Sequence, residues 1–114
     1  MESTQESAKR RRARNELVME YADLPMRRFF ALDHDAYEDG VLPKTTKELL
    51  GLVASTVLRC DDCIHYHVAE AISAGATAEE IAETLGIALV IGGSIAIPHV
   101  RRAFEILHAI EESG

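Results

Sequence analysis

The sequence predicts an all-α protein, a single-domain bundle of about five to six helices over residues 1–114. Apolar residues recur at helical spacing along most of the chain, and no long stretch alternates with the period of two that marks a strand. Residues that start and end helices separate these apolar stretches. The composition is 47% hydrophobic and 27% charged, which is typical of a globular domain, and the absence of Trp favours helix.

Two helices are predicted in the N-terminal third of the chain. The first five residues are polar and are expected to be disordered, and the first helix then runs from near Glu6 to about Tyr21. The second helix begins after Asp23, a typical N-cap residue, with Pro25 in its first turn. It ends at Gly40. Its apolar stripe consists of Phe29, Phe30, Leu32 and Ala36.

The next two helices flank the two cysteines. Thr45 and Glu48 have the spacing of a capping box, which predicts a third helix that extends to about Leu58. A fourth helix runs from near Asp61 to Ala74. The cysteine motif therefore lies where the fourth helix begins.

The last two helices follow a second capping box. Thr77 and Glu80 open the fifth helix, which extends to about Ile91. A Gly-Gly-Ser sequence then breaks the chain, with Ser94 as the expected cap. Pro98 lies near the first turn of the last helix, where its missing N–H costs least.

The segment Leu85–Ile97 contains 13 uncharged residues, fewer than the roughly 20 that a membrane span needs. It predicts a buried helix or a subunit interface. A monomer of this length would have difficulty covering both this segment and the Phe29–Phe30 stripe, so we expect a homo-oligomer. Because the N-terminus lacks an apolar leader, we expect a cytoplasmic protein with no membrane partner.

The net charge of −7 argues against a nucleic-acid partner, because such proteins present a basic face. A basic run near the N-terminus is the local exception, and it consists of Lys9, Arg10, Arg11, Arg12 and Arg14. We interpret it as a solvated helix face balanced by nearby glutamates. A phosphate-binding or membrane-binding arm is the alternative.

Cys60 and Cys63 form a C-x-x-C motif at a predicted helix N-terminus. A separation of three residues is close to one helical turn, so the two sulfurs can approach each other. Backbone N–H groups at a helix N-terminus favour a thiolate, and a thiolate beside a second thiol can carry out disulfide exchange. His67 lies one turn beyond Cys63 and can transfer a proton. Asp61 and Asp62 oppose thiolate formation.

Two other interpretations remain open on spacing alone. Cys60, Cys63, His67 and either His65 or Glu48 could supply four ligands to zinc. Alternatively the cysteines are incidental to a non-catalytic assembly protein. Glu48 is itself explained by the capping box that Thr45 opens. The remaining histidines have no evident partners and are expected to be surface or packing residues: His34, His99 and His108.

The spacing of Glu48, Cys60, Cys63 and His67 resembles the motif of the alkylhydroperoxidase D-like group of the carboxymuconolactone decarboxylase superfamily. The resemblance extends from Gly40 to the C-terminus and includes the Ala-Gly-Ala-Thr turn and the Gly-Gly break. It implies an all-α fold, trimers or hexamers, and a peroxidase or disulfide reductase. It also implies no haem, flavin or metal, and a lipoyl or thioredoxin-like dithiol as electron donor.

The resemblance also implies a role for each site residue. Cys63 matches the attacking cysteine and Cys60 the resolving one, while His67 matches the proton-relay histidine and Glu48 its carboxylate. One residue departs from the family pattern, because Asp62 stands where the best-known members carry a histidine. In one unbroken helix Glu48 would lie about 18 Å from Cys60 along the axis. The relay therefore requires the chain to fold back near residues 58–61.

Overall fold

The helical pattern of the sequence is realised along the whole of residues 3–113, the part of the chain that the computed structural model describes. Its elements are α1 Thr4–Tyr21, α2 Leu24–Ala36, α3 Lys44–Val57, α4 Asp61–Ser73, α5 Ala78–Gly92, a 3-10 turn Ser94–Ala96 and α6 Ile97–Ser113. Residues 3–113 contain no β-strand. The predicted all-α class and the number of helices are therefore confirmed.

The N-terminal helix begins earlier than the sequence predicts. The side chain of Ser3 caps α1 by accepting a hydrogen bond from the Glu6 N–H at 3.0 Å. Thr4 and the residue after it are therefore helical, and the expectation of disorder there is wrong; residues 1 and 2 lie outside the described range. The predicted cap of α2 is confirmed, because Asp23 accepts from the Met26 N–H at 3.1 Å.

The hydrophobic core lies among α3, α4, α5 and α6. The side chains of Leu52, Ile64 and Ile81 are fully buried at its centre. Small residues such as Ala71 and Ala103 bring the helices together without leaving gaps. This four-helix part, which we call the bundle, is the rigid support for the cysteine motif.

The chain folds back sharply between α3 and α4, as the proton relay requires. Leu58 ends α3, and Arg59 takes the left-handed conformation with φ 60°. The Cys60 N–H donates to the Ser55 carbonyl at 2.9 Å, and the Arg59 N–H donates to the Thr56 carbonyl at 3.1 Å. This is the Schellman pattern of hydrogen bonds, in which glycine is the usual left-handed residue. Here an arginine occupies that strained position, directly before Cys60.

Of the two predicted capping boxes, only the second is present. Thr77 and Glu80 exchange the expected pair of hydrogen bonds at the start of α5. The predicted capping box of Thr45 and Glu48 is wrong, because neither side chain caps α3. The Thr45 hydroxyl instead donates to the Ala74 carbonyl at 2.6 Å and ties α3 to the end of α4. The N-terminus of α3 is capped from a distance, because the Lys44 N–H donates to the Asp39 carboxylate at 2.7 Å.

The segment between α5 and α6 also differs in detail from its prediction. Gly93 takes a positive φ of 77° and ends α5, but no side chain caps the 3-10 turn that starts at Ser94. Pro98 is the second residue of α6, as predicted. Among residues 3–113 we find no helix that is both long enough and apolar enough to cross a membrane.

The first two helices pack far less than the bundle does. Ser7 is the buried residue of α1, and α2 has none. The apolar stripe predicted for α2 lies on the surface of the single chain, with Phe29 67% and Leu32 64% exposed. Within one chain, α1 and α2 therefore rest on the bundle with their apolar side chains uncovered.

Candidate active site

The two cysteines form a disulfide at the N-terminus of α4. Cys60 is the N-cap residue, its sulfur accepts a hydrogen bond from the Cys63 N–H at 3.3 Å, and the two Cα atoms lie 5.3 Å apart. Cys63 is exposed, whereas Cys60 is half-buried behind it. An incoming molecule therefore reaches the Cys63 sulfur first.

Behind the disulfide, α3 and α4 bring Glu48 and His67 together. The Nδ1 atom of His67 lies 2.8 Å from Oε1 of Glu48, and both residues are buried. Because an ionised carboxylate only accepts hydrogen bonds, Nδ1 carries the hydrogen and Nε2 is left to take up or release a proton. The sequence explained Glu48 as part of a capping box, but the fold uses it to orient this imidazole.

Lys44 lies one turn before Glu48 and faces the second carboxylate oxygen. Its Nζ atom is 3.4 Å from Oε2, close enough for an ion pair. The alignment does not make a hydrogen bond, and Oε2 is a buried oxygen with no hydrogen-bond partner among the described residues. The ammonium group therefore supports the negative charge of Glu48 through electrostatic attraction alone.

Gly51 provides the space that the His67 ring occupies. A methyl group at this position would lie 2.6 to 2.9 Å from three atoms of the imidazole, closer than van der Waals contact permits. Gly51 is also one turn along α3 from Glu48, so the same helix face both receives the ring and bonds to it. The absence of a side chain here is what allows α3 and α4 to close around the histidine.

Two tyrosines pack against the His67 ring from its other sides. Tyr66 meets it edge-on with 5.1 Å between ring centroids, and Tyr37 meets it at a tilt with 5.4 Å. Burial, followed by the nearby carboxylates of Glu70 and Glu48, raises the pKa of Tyr66 to about 12. Burial and then the Glu48 carboxylate also raise the pKa of Tyr37. Both phenols therefore stay protonated beside the imidazole at neutral pH.

A cavity of about 350 Å³ opens in front of the disulfide. Cys63 and His67 both line it, so the exposed cysteine and the imidazole face the same space. The rest of its wall comes from Arg11, Asn15, Phe30, Asp33, Tyr37, Asp62 and Tyr66. We call it the cysteine cavity. Three aromatic rings in its wall offer a surface for an apolar part of a substrate.

The aspartates between the cysteines are paired with cations. Asp61 bonds to His99 with 2.7 Å between Oδ1 and Nδ1, and to Arg102 with 3.0 Å between Oδ2 and Nη1. Asp62 lies 3.6 Å from Arg10. The expectation that His99 lacks a partner is therefore wrong, because α6 packs against the start of α4 and brings the two residues together. The charge that opposes a thiolate is largely offset.

The four site residues predicted from the sequence are thus brought together on one side of the bundle. Cys60, Cys63 and His67 lie on α4 or at its cap, and Glu48 reaches them from α3. Reasoning from the sequence missed Gly51, Tyr37 and the cations around the aspartates. Gly51 carries a detectable signal, since a glycine inside a helix is costly and implies a close approach. Among residues 3–113, no three metal-ligating side chains converge as a metal site would require.

Comparison with known proteins identifies the family and agrees with the fold. The sequence profile of the Carboxymuconolactone decarboxylase family matches residues 24–105. A curated relative, "Uncharacterized protein 4 in cox locus" of Paracoccus denitrificans, is 35% identical over 83 residues, which are 73% of this chain and 75% of that protein. The profile match thus extends from the start of α2 to about the middle of α6.

Solved structures are similar over nearly the full length. A Thermotoga maritima protein of the carboxymuconolactone decarboxylase family, described as "possibly involved in antioxidative response", is 54% identical with a TM-score of 0.89, covering 93% of this chain and 90% of that one. A family protein of Legionella pneumophila is 28% identical with a TM-score of 0.83, covering 92% and 94%. The chain therefore belongs to the carboxymuconolactone decarboxylase family.

Proposed function

We propose that the chain is a thiol-dependent antioxidant oxidoreductase that reduces hydroperoxides or partner disulfides through Cys60 and Cys63. One observation carries this proposal: His67, which is bonded to the buried Glu48, lines the same cavity as the exposed cysteine of a disulfide. A structural disulfide has no need of a proton carrier beside it. A catalytic one does, because each half-reaction moves a proton to or from sulfur.

The oxidising half-reaction begins at Cys63, the more exposed sulfur. Its thiolate attacks the outer oxygen of a hydroperoxide, the O–O bond breaks, and the alcohol leaves with a proton delivered by His67. The sulfenic acid on Cys63 is then attacked by the Cys60 thiol, which forms the disulfide and releases water. Glu48 holds the imidazole in the orientation and tautomer that this proton transfer needs.

The reducing half-reaction returns the disulfide to two thiols. A dithiol donor of the lipoyl or thioredoxin-like type attacks Cys63, the Cys60 thiolate leaves, and the donor's second thiol releases Cys63 while the donor becomes a disulfide. Two electrons and two protons pass from the donor to the enzyme. The protein residues supply the whole of this chemistry, so we expect no resident cofactor.

The family relationship supports the coarser part of this proposal. The antioxidative response named for the Thermotoga maritima relative is in keeping with a cysteine pair at the mouth of a cavity. Decarboxylation is the less favoured chemistry, because the branch of the superfamily that decarboxylates lacks the cysteine pair. The peroxide and disulfide reactions use the same two sulfurs.

The assignment of the two sulfurs is tested with Cys63→Ser and Cys60→Ser. Reduced Cys63→Ser should consume no organic hydroperoxide, whereas Cys60→Ser should consume one equivalent and stop as a sulfenic acid that a dimedone probe labels. Turnover that persists in Cys63→Ser would overturn the assignment. Stoichiometric zinc in protein purified without chelator would instead favour the metal-binding alternative.

The relay is tested with Glu48→Gln, which keeps the shape of the side chain and removes its charge. We expect the rate of hydroperoxide consumption to fall roughly 100-fold, the usual effect of losing proton-transfer assistance. Glu83→Gln, at an exposed position on α5, is the matched control and should leave the rate unchanged. Equal rates for the two variants would exclude Glu48 from the relay.

We also propose that the chain forms a homo-oligomer, a trimer or a hexamer. Large apolar side chains are exposed on two separate helices of the single chain, and they include Phe29 and Leu32 on α2 and Ile87, Val90 and Ile91 on α5. Patches of this kind on a soluble chain usually mark a subunit contact. Sedimentation at micromolar concentration tests the proposal, and a monomer would refute it.

A further inference from the structure

The basic run on α1 is turned toward the cysteine motif instead of forming only a solvated face. Three of its arginines line a second cavity of about 160 Å³ between α1 and the start of α4. We call it the arginine cavity. Its wall consists of Ser7, Arg10, Arg11, Arg14, Asn15 and Asp62. The proposed peroxide and disulfide chemistry gives no role to this cluster.

The charge of the arginine cavity is positive in a chain whose net charge is −7. Asp62 is the acidic residue in its wall, and it pairs with Arg10 at 3.6 Å. Arg14 makes no ion pair with any residue of the described range, while Arg11 lies over the Tyr66 ring with its guanidinium carbon 4.6 Å from the centroid. Among residues 3–113, the guanidinium groups of Arg11 and Arg14 therefore form no ion pair with a carboxylate.

The arginine cavity adjoins the cysteine cavity. Arg11, Asn15 and Asp62 belong to the walls of both, so the two form one continuous depression that begins at Cys63 and ends at Arg14. Its Cys63 end is lined by three aromatic rings and by the Asp33 carboxylate, and its far end is cationic. Guanidinium groups match carboxylate and phosphate oxygens in both geometry and charge. The depression therefore has the polarity of an amphipathic molecule with one anionic end.

We propose that the arginine cavity binds the carboxylate or phosphate of the molecule that reacts at Cys63. The inference rests on the proposed function and adds the substrate class: a hydroperoxide, disulfide or dithiol that bears an anionic group. Arg14 and Arg11 hold that group, and the reactive end lies against the aromatic wall beside Cys63 and His67. The small volume of the cavity suits a single anionic group better than an extended anionic surface.

The proposal is tested with two dithiols that differ only at the anionic end, dihydrolipoate and its neutral amide. Either one reduces the enzyme disulfide to two thiols and becomes a cyclic disulfide itself. At subsaturating concentration we expect dihydrolipoate to reduce wild-type protein about tenfold faster than the amide, as one charge-assisted hydrogen bond to the reactant would produce. Both rates are measured under anaerobic conditions, from the protein thiols that appear as the disulfide is reduced.

Arg14→Gln should reduce the preference for the carboxylate to less than about threefold without slowing the amide reaction. Arg11→Gln should also reduce this preference, and because Arg11 lines the cysteine cavity and contacts Tyr66, only the ratio of the two rates is compared for this variant. Arg12→Gln is the matched control, because Arg12 lies on the same helix but lines neither cavity, and it should keep the full preference. An equal slowing of both dithiols by Arg14→Gln would count against anion binding.

A second arm determines which reactant carries the anion. Reduced protein is given a fatty-acid hydroperoxide or its methyl ester, and consumption of each is measured in wild type and Arg14→Gln. If only the dithiols or only the hydroperoxides show a preference for the charged form that Arg14→Gln removes, the arginine cavity binds that class of reactant. Equal rates for charged and neutral partners in both arms would overturn the inference. If the protein reacts with neither the dithiols nor the hydroperoxides, the proposed function is overturned instead.

Discussion

The bundle of α3 to α6 and the pair α1 and α2 differ in packing, and the active site is divided between them. The bundle contributes the buried Glu48 and His67 and the disulfide at the start of α4. The N-terminal pair contributes part of the entrance, including Arg11 and Phe30, and buries little of its own surface. The groups proposed to react thus lie in the tightly packed part, and those proposed to select a substrate lie in the loosely packed part.

The loosely packed part is tied to the bundle where it matters for the site. Lys47 on α3 donates from Nζ to the carbonyls of Ala36 at 2.9 Å and Glu38 at 2.7 Å. These carbonyls flank Tyr37, the residue that packs against His67. One lysine therefore satisfies the free carbonyls at the end of α2 and holds an aromatic wall against the imidazole.

The difference in packing should appear most strongly when one apolar side chain is truncated in each part. Leu52→Ala removes a fully buried side chain from the bundle and should lower the free energy of unfolding by about 2–5 kcal/mol. At a protein concentration low enough to dissociate the oligomer, Phe29→Ala removes an exposed ring from α2 and should change the free energy of unfolding by less than about 0.5 kcal/mol. Urea unfolding followed by circular dichroism measures both.

If Phe29→Ala lowers the free energy of unfolding, its dependence on protein concentration shows whether the ring lies in a subunit contact or packs within one chain. A loss that grows with protein concentration would place the ring in a subunit contact, because association stabilises the folded chain by mass action. A loss as large as that of Leu52→Ala and independent of concentration would contradict the comparison. It would mean that α2 packs within one chain as firmly as the bundle does.

Two glycines inside helices sharpen the comparison within the bundle itself. Gly51→Ala places a methyl group against the His67 ring and should lower the free energy of unfolding by about 1–3 kcal/mol. Gly86→Ala on α5 meets no atom within 4 Å and should raise it by about 0.5–1 kcal/mol, because alanine favours helix. Urea unfolding measures both changes. A loss of stability in Gly51→Ala beside a gain in Gly86→Ala would support the view that Gly51 makes room for the His67 ring. A stabilising Gly51→Ala would refute it.

The sequence predicts those features that depend on neighbours along the chain. The Thr77 capping box, the Asp23 cap and the C-x-x-C motif at a helix N-terminus all arise within one turn, and all three are present. Thr45 and Glu48 have the same local pattern, yet a tertiary contact prevails at each. Glu48 bonds to His67 and Thr45 to the Ala74 carbonyl, and no local pattern reports either contact.

Features that depend on which elements meet in space could not be predicted. His99 is 38 residues from Asp61 in the chain, and only the packing of α6 on α4 makes them partners. The basic run on α1 is compatible with solvent or with a cavity, and the orientation of α1 decides between them. The fold-back at Arg59 was required by the resemblance, but a non-glycine residue at positive φ gives no local signal of it.

The smallest expected effect concerns a tyrosine from each part. Because the folded chain raises the pKa of Tyr66 to about 12, it binds that proton more tightly than the unfolded chain, whose tyrosines titrate near 10. Stability from this group is present below pH of about 10 and is lost as pH rises toward about 12. Tyr66→Phe should therefore reduce the alkaline loss of stability and remove the latest step in the ultraviolet titration of tyrosinate. Tyr21→Phe, at an exposed position on α1, is the control and should retain this latest step. Loss of the step in Tyr21→Phe would assign it to the N-terminal pair and not to the wall around His67.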